Sequence, residues 1–549
     1  MSRGGRRGIV TLAVVAAAWA LTGCAAMPDE RRTTFGIDFR VPSAPDTPAA
    51  IVFMVDGVNA TVFREMLDGG RLPNLKKYFV DRGLYFERAI AAVPGVTLPN
   101  ETSLVTGLWP GHHGVTGTTW FDRNRLVERN YEEVAEKNLL DNDYAAPTLF
   151  ERLDDKTTLS LFYQAHRGVT KFVENWLSAG PPYFLGWYGF VDRLSLWRFN
   201  VVAEIARARQ EYPALIFSYV LSPDMEAYRS GISSDAYRAA LEHTDAHIGR
   251  ILRDLEAAGR LDKTDLALVS DHGMVDVGRH WSVKRFLREE LHLAVPGEGF
   301  WEESPFERRL AHYQKFAAVV TGSGERYRAI YVRKPRAGAA EPKPPEFENW
   351  LVRPTARELR AYPADDGRTV DLIERLAAAE PVDLVAYREA PDRVRIVGRK
   401  GEAEVSRENP QSRRTAVRVV SGEDPLGYRG VISADGLATA HDDREWLALT
   451  SDTTYPDLVP QIMAYFDAPR AGDLIVFAAP GWEFADGHKG GHGGVRPEEM
   501  YTVLLFAGPG VPHERRTAPV RTLDLVPTVL ELLGRPVPPD LDGRSVLGH

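Results

Sequence analysis

Several short runs of the 549-residue chain are apolar almost throughout and stop at an acid or a turn. Residues 51–55 stop at Asp56, residues 266–269 run into Ser270 and Asp271, and residues 214–220 lead to Pro223 and Asp224. Residues 474–478 and 501–506 are runs of the same kind. Continuous rather than alternating hydrophobicity calls for strands covered on both faces. Between the runs lie helical patterns, clearest from Ser234 to Ala258, where Tyr237, Leu241, Ile248, Ile251, Leu252 and Leu255 share a stripe and Ser234 is the N-cap. Strands alternating with helices predict an α/β protein, an α/β/α sandwich with a mainly parallel central sheet. In such sheets ligands gather at the carboxyl ends of strands, where Asp56 and Asp271 fall.

Residues 286–465 break this rhythm. They hold a Pro/Ala-rich loop at 333–345 and alternating segments around the turn at 398–401 and at 416–420. The pattern predicts a smaller α+β cap with its own antiparallel sheet, inserted between core parts at 49–285 and 466–549.

At the other end, Arg6-Arg7 precedes an apolar run over 9–21 that is short for a membrane span. Leu21-Thr22-Gly23-Cys24 resembles a bacterial lipobox. It predicts a leader over 1–23, a lipid on Cys24 and a Pro-rich tether over 24–48. Ala25 after the cysteine points to the outer membrane, facing the periplasm. Cys24 is the one cysteine, so acylation leaves no thiol for disulfide or cysteine chemistry.

The formal charge is -9, and loss of Arg3, Arg6 and Arg7 with the leader makes it more negative. This disfavours a nucleic-acid groove or an anionic membrane face as the main partner. An anionic substrate then needs metal ions to offset the field.

The chemistry lies in Val55-Asp56-Gly57, Thr97-Leu98-Pro99-Asn100, Asp271-His272-Gly273-Met274 and Gly491-His492-Gly493. Acids, histidines and a hydroxyl at the ends of separate apolar segments form the donor set of a metal site built by the fold. Carboxylate oxygens and imidazole nitrogens suit zinc or a similar divalent ion. A threonine hydroxyl among them suggests a metal-assisted nucleophile. Taken singly, each residue also has a plainer role: an acid at a strand end, a threonine N-cap, a histidine in a glycine-rich turn.

Together these segments resemble the alkaline phosphatase superfamily and, within it, the nucleotide pyrophosphatase/phosphodiesterase branch. Thr97 to Asn100, followed by Leu104-Val105-Thr106-Gly107-Leu108-Trp109-Pro110 and His113-Gly114, is similar to the nucleophile segment of that branch. Thr522 to Thr528 and Leu541-Asp542-Gly543 resemble its C-terminal helix and tail. The resemblance implies two divalent ions, zinc with manganese as the alternative. Asp56, Asp271, His272 and Thr97 would hold one, and Asp224 and His492 the other. It implies hydrolysis of phosphate esters, foremost diesters or nucleotide pyrophosphates, through a phosphothreonine on Thr97. Thr97 should also begin a helix.

Two positions depart from the family pattern. Tyr228 stands where the second ion's third ligand, a histidine, is expected, and Thr118 where a phosphate-binding asparagine is expected. Glu226, His488 or water are the substitutes for the missing ligand. The alternative is a non-catalytic periplasmic binding protein, or a phosphomonoesterase or phosphonate hydrolase with His166-Arg167 gripping the phosphate. An aromatic segment over 172–199 either lines a leaving-group pocket or packs in the core.

Overall fold

The computed structural model describes residues 47–133, 137–173, 176–297, 305–322, 324–336, 345–485 and 487–548. The leader, Cys24 and nearly all of the tether lie outside them. The first strands are β1 (Ala49–Val55), β2 (Gly83–Ile90), β3 (Thr158–Leu161), β4 (Lys171–Val173), β5 (Leu215–Val220) and β6 (Thr264–Val269). Next come β7 (Ala318–Thr321), β8 (Tyr327–Val332), β9 (Val382–Ala390), β10 (Arg393–Gly398), β11 (Gly401–Arg407) and β12 (Thr415–Gly422). The last are β13 (Leu474–Ala478), β14 (Tyr501–Ala507) and β15 (Glu514–Arg516).

The main sheet runs β15-β2-β14-β6-β1-β5-β3-β4, with Val520–Arg521 also pairing to β2. β1 is parallel to both β5 and β6, whereas β14 lies antiparallel between β2 and β6. Every residue of β1 is buried, as its unbroken apolar run requires. Ile51, Phe53 and Val55 face a core with Phe199, Tyr237 and Leu241, while Ala50, Val52 and Met54 face the opposite core with Leu104, Val526 and Leu530. The sheet is therefore packed on both sides.

Four helices matter for the site: α1 (Thr97–Thr106), α2 (Tyr188–Arg209), α3 (Ser222–Ser230) and α4 (Asp235–Ala257). α4 starts as its sequence predicts, with the Ser234 hydroxyl accepting from the Tyr237 N–H at 3.2 Å.

The second sheet is antiparallel, in the order β7-β8-β13-β9-β10-β11-β12. The turn at 398–401 is its β10–β11 hairpin, Gly398 facing Gly401. One expectation needs correcting. β13, read from its apolar run as part of the main core, is an interior strand of this second sheet, bonded to β8 and β9. An apolar run reveals that both faces are covered but not which sheet covers them.

Candidate metal centre and active site

The site forms where β1, β5 and β6 end. Asp56 follows β1, Asp271 follows β6 by one residue, and Asp224 sits in the first turn of α3 after β5. Gly57 lets these chains converge. Its φ is +67°, and a Cβ there would lie 2.8 Å from Asp224 Cα, Cβ and Oδ1. The Gly57 N–H donates to Asp271 Oδ1 at 3.3 Å.

Thr97 is the first residue of α1, and the N-cap is Val96, whose side chain offers no cap. The first helical N–H groups are thus left for an outside anion. Asn100 fixes the approach to this terminus. Its Oδ1 accepts from the Ala92 N–H at 2.8 Å, and its Nδ2 donates to the carbonyls of Ala92, Pro94 and Val96 at 3.1, 2.9 and 3.1 Å.

His272 Nε2 lies 3.2 Å from Thr97 Oγ1, 3.4 Å from Asp56 Oδ1 and 3.0 Å from Asp271 Oδ2. Its Nδ1 donates to the Gly273 carbonyl at 3.1 Å, leaving Nε2 as an acceptor. His492 is oriented in the same way, its Nδ1 donating to the Gly95 carbonyl at 2.7 Å. The two imidazoles stack with centroids 3.5 Å apart. The loop before β8 holds the backbone of His492: its N–H donates to the Gly324 carbonyl at 2.8 Å, and its carbonyl accepts from the Arg326 N–H at 3.0 Å.

Asp56, Asp224, Asp271, His272 and His492 are all buried. Asp56 Oδ1, Asp224 Oδ1 and Asp271 Oδ2 accept no hydrogen bond. Burial, then the neighbouring Asp271 and Asp224, holds the Asp56 carboxyl well above the usual carboxylate range. Burial, opposed by His272 and aided by Asp271, pushes Asp224 up to about 7. Uncompensated buried carboxylates are costly, and a divalent cation removes that cost. Oriented imidazole nitrogens beside orphaned carboxylate oxygens therefore fit a divalent metal. The donors fall into two sets, Asp56 with Asp271 and His272, and Asp224 with His272 and His492.

Tyr228 lies one turn after Asp224 on α3, and its hydroxyl is 2.7 Å from His492 Nε2. Neither expected substitute joins the donors. Glu226 accepts from Arg229 at 3.2 Å, and His488 pairs with Glu483 at 3.4 Å. Thr118 lines the cavity wall beside Thr97. His166 and Arg167 do not grip the site: His166 stacks on Phe172 at 3.8 Å, and Arg167 is bound to Glu151 and to carbonyls of 144–146.

Three residues that hold the site carried weaker signals. Tyr219 donates to Asp56 Oδ2. Glu101, one turn beyond Thr97, is fully buried, with Oε1 unbonded. Asn100 ties the start of α1 to the loop at 92–96. Each is a polar residue inside an apolar strand or helix, which is a signal for a buried polar network without identifying its partners.

A cavity of ≈ 290 Å³ opens beside Thr97, Asp56 and Asp224 and is walled by Phe162, Tyr183, Phe184, Val191, Leu221 and Met225. The aromatic segment is thus divided between two roles. Tyr183 and Phe184 face the cavity, while Phe199 stacks on Phe53 of β1 at 6.3 Å.

A model of the type I phosphodiesterase / nucleotide pyrophosphatase family matches residues 50–373, over half of the chain, which belongs to that family. An ectonucleotide pyrophosphatase/phosphodiesterase of Caenorhabditis elegans is 26% identical over 276 residues, 49% of this chain and 34% of the relative. A bis(5'-adenosyl)-triphosphatase of Bos taurus is 23% identical over 245 residues, 43% of this chain and 50% of the relative. The chain spans half or less of the length of these curated relatives. Murine ectonucleotide pyrophosphatase/phosphodiesterase 5 superposes with a TM-score of 0.56 at 15% identity, covering 89% of this chain and 96% of that one. An inactive threonine-to-alanine variant of that protein in complex with AMP superposes with a TM-score of 0.54. At such identity the likeness is one of fold.

Proposed function

We propose that the protein is a metal-dependent hydrolase of phosphate esters, foremost phosphodiesters or nucleotide pyrophosphates, with Thr97 as nucleophile. The observation that carries this is the Thr97 hydroxyl, at an uncapped helix N-terminus and 3.2 Å from His272 Nε2, among orphaned carboxylate oxygens. Asp56, Asp271 and His272 would hold a divalent ion, zinc or else manganese, which would supply positive charge that offsets the carboxylates and favours the ionised Thr97 hydroxyl. Thr97 Oγ attacks phosphorus in line and the bond to the leaving oxygen breaks. The phosphoryl group stays on Thr97 until water cleaves it. Free N–H groups at the start of α1 would receive the phosphoryl oxygens, and Thr118, which lines the same cavity, would donate its hydroxyl to them. The aromatic wall of the cavity takes the organic part of the substrate, as a base or an acyl chain.

The test compares a diester, a monoester and a phosphonate monoester with the zinc- or manganese-loaded chain and with Thr97→Ala. Diester turnover that disappears in the variant supports the reading. A monoester preference keeps the nucleophile and changes the substrate class. The hydroxyl of Tyr228 on His492 favours a second reading, a non-catalytic binding protein. Turnover no higher than that of Thr97→Ala with every substrate and metal decides for it.

The lipobox-like Leu21-Thr22-Gly23-Cys24 supports a further proposal, a lipid on Cys24 that anchors the chain in the outer membrane facing the periplasm. Cys24→Ser should release the chain from membrane fractions; continued membrane association would refute the anchor.

A further inference from the structure

We infer that this chain holds one divalent ion rather than two, because the Tyr228 hydroxyl takes up the nitrogen on which a second ion depends. The inference rests on the metal-dependent reading of the site and concerns its stoichiometry.

The two donor sets share His272. An imidazole with Nδ1 committed to a carbonyl has one lone pair to give, on Nε2. That nitrogen lies 3.0 and 3.4 Å from Asp271 Oδ2 and Asp56 Oδ1 and 3.2 Å from Thr97 Oγ1, so an ion it binds is shared with these oxygens. One set is therefore complete, with two carboxylates, one imidazole and a hydroxyl, a four-donor shell of the kind zinc takes.

The other set is left with Asp224 and His492. Nδ1 of His492 donates to the Gly95 carbonyl, so Nε2 is the acceptor, and the Tyr228 O–H donates into it at 2.7 Å. Asp224 Oδ1 stands 3.9 Å from the same nitrogen. Tyr228 is positioned to do this because it lies four residues after Asp224 on α3, so both side chains leave the same face of the helix. A histidine at that position would offer a lone pair; the phenol offers a proton. Filling the second set would require breaking a buried hydrogen bond to gain an ion with two protein ligands, where zinc sites take three or four. Glu226 and His488 are engaged with Arg229 and Glu483, so neither restores the third ligand. The Asp224 carboxylate is served by the charge of the single ion, since one of its oxygens lies within 4.8 Å of a ring nitrogen of His272.

The full chain, purified in detergent and dialysed against zinc, is analysed for metal per protein, with zinc titration calorimetry as the second measure. One ion per chain is expected. Tyr228→His should raise the count to two, His492→Ala should leave it at one, and His272→Ala should reduce it to none. Two ions in the unaltered chain overturn the inference, as does loss of the ion in His492→Ala or a count that stays at one in a folded Tyr228→His. No ion in the unaltered chain overturns the inference together with the metal reading. One ion without turnover of any ester leaves the stoichiometry standing and rejects the hydrolase.

Discussion

Burying acids without a counter-charge makes them hold their protons, and this gives the metal-free protein a distinctive pH dependence. Asp56 and Asp224 both bind a proton more tightly folded than unfolded. The stability they contribute is complete below the unfolded carboxylate pKa of about 4 and is lost as pH rises through the folded values. For Asp224 that folded value is about 7, so the window runs from there down to the unfolded value. We predict that the melting temperature of the chelator-treated chain falls as pH rises from about 4 to about 7, that zinc reverses the trend, and that Asp224→Asn flattens it. A melting temperature independent of pH in the chelated chain would count against the buried acid cluster. At this scale the sequence was informative: Asp56, Thr97, Asp224, Asp271, His272 and His492 stand at or near the ends of their segments, and the fold brings them together. The direction of the Tyr228 hydroxyl was not legible, because it depends on an imidazole 264 residues away.

Among the elements, α1 depends most on a side chain whose role its sequence hides. Asparagine ranks low as a helix interior residue, yet Asn100 makes four hydrogen bonds to the loop at 92–96. Those bonds set the angle at which Thr97 enters the helix. Asn100→Ala leaves the buried Ala92 N–H without its partner and should cost roughly 3 kcal/mol. The expected result is a lower urea midpoint at an unchanged slope, together with weaker protection by inorganic phosphate. Unaltered phosphate protection would show that the loop does not set the geometry of the terminus. The strands repeat the lesson. β1 and β6 were legible as covered strands and so was the β10–β11 hairpin, because their signals are local. β13 was assigned to the wrong sheet, because pairing partners far away in sequence leave no trace in a five-residue apolar run.

For the molecule as a whole, the two sheets meet through Arg326. This buried residue just before β8 bonds Glu499 at 2.6 and 3.1 Å and also reaches the carbonyls of Ala478, Ala479 and Trp482. Glu499 in turn accepts from the Gly494 N–H at 2.8 Å, two residues from His492. Arg326→Ala strands a buried carboxylate and should cost about 3–5 kcal/mol. We expect a lower melting temperature and weaker substrate turnover together; turnover retained at full rate in a destabilised variant would show that the second sheet does not support the site. The placement of β13 and β14 also has a bearing on time. Each is an interior strand of its sheet, yet both are encoded after residue 473. During synthesis β2 and β6 wait for β14, and β8 and β9 wait for β13, with open edges that invite wrong partners. Neither sheet can be completed before Leu474–Ala478 and Tyr501–Ala507 have been made. Under the proposal that the segment at 9–24 exports the chain, that delay would favour passage as an extended polypeptide and leave assembly to the far side.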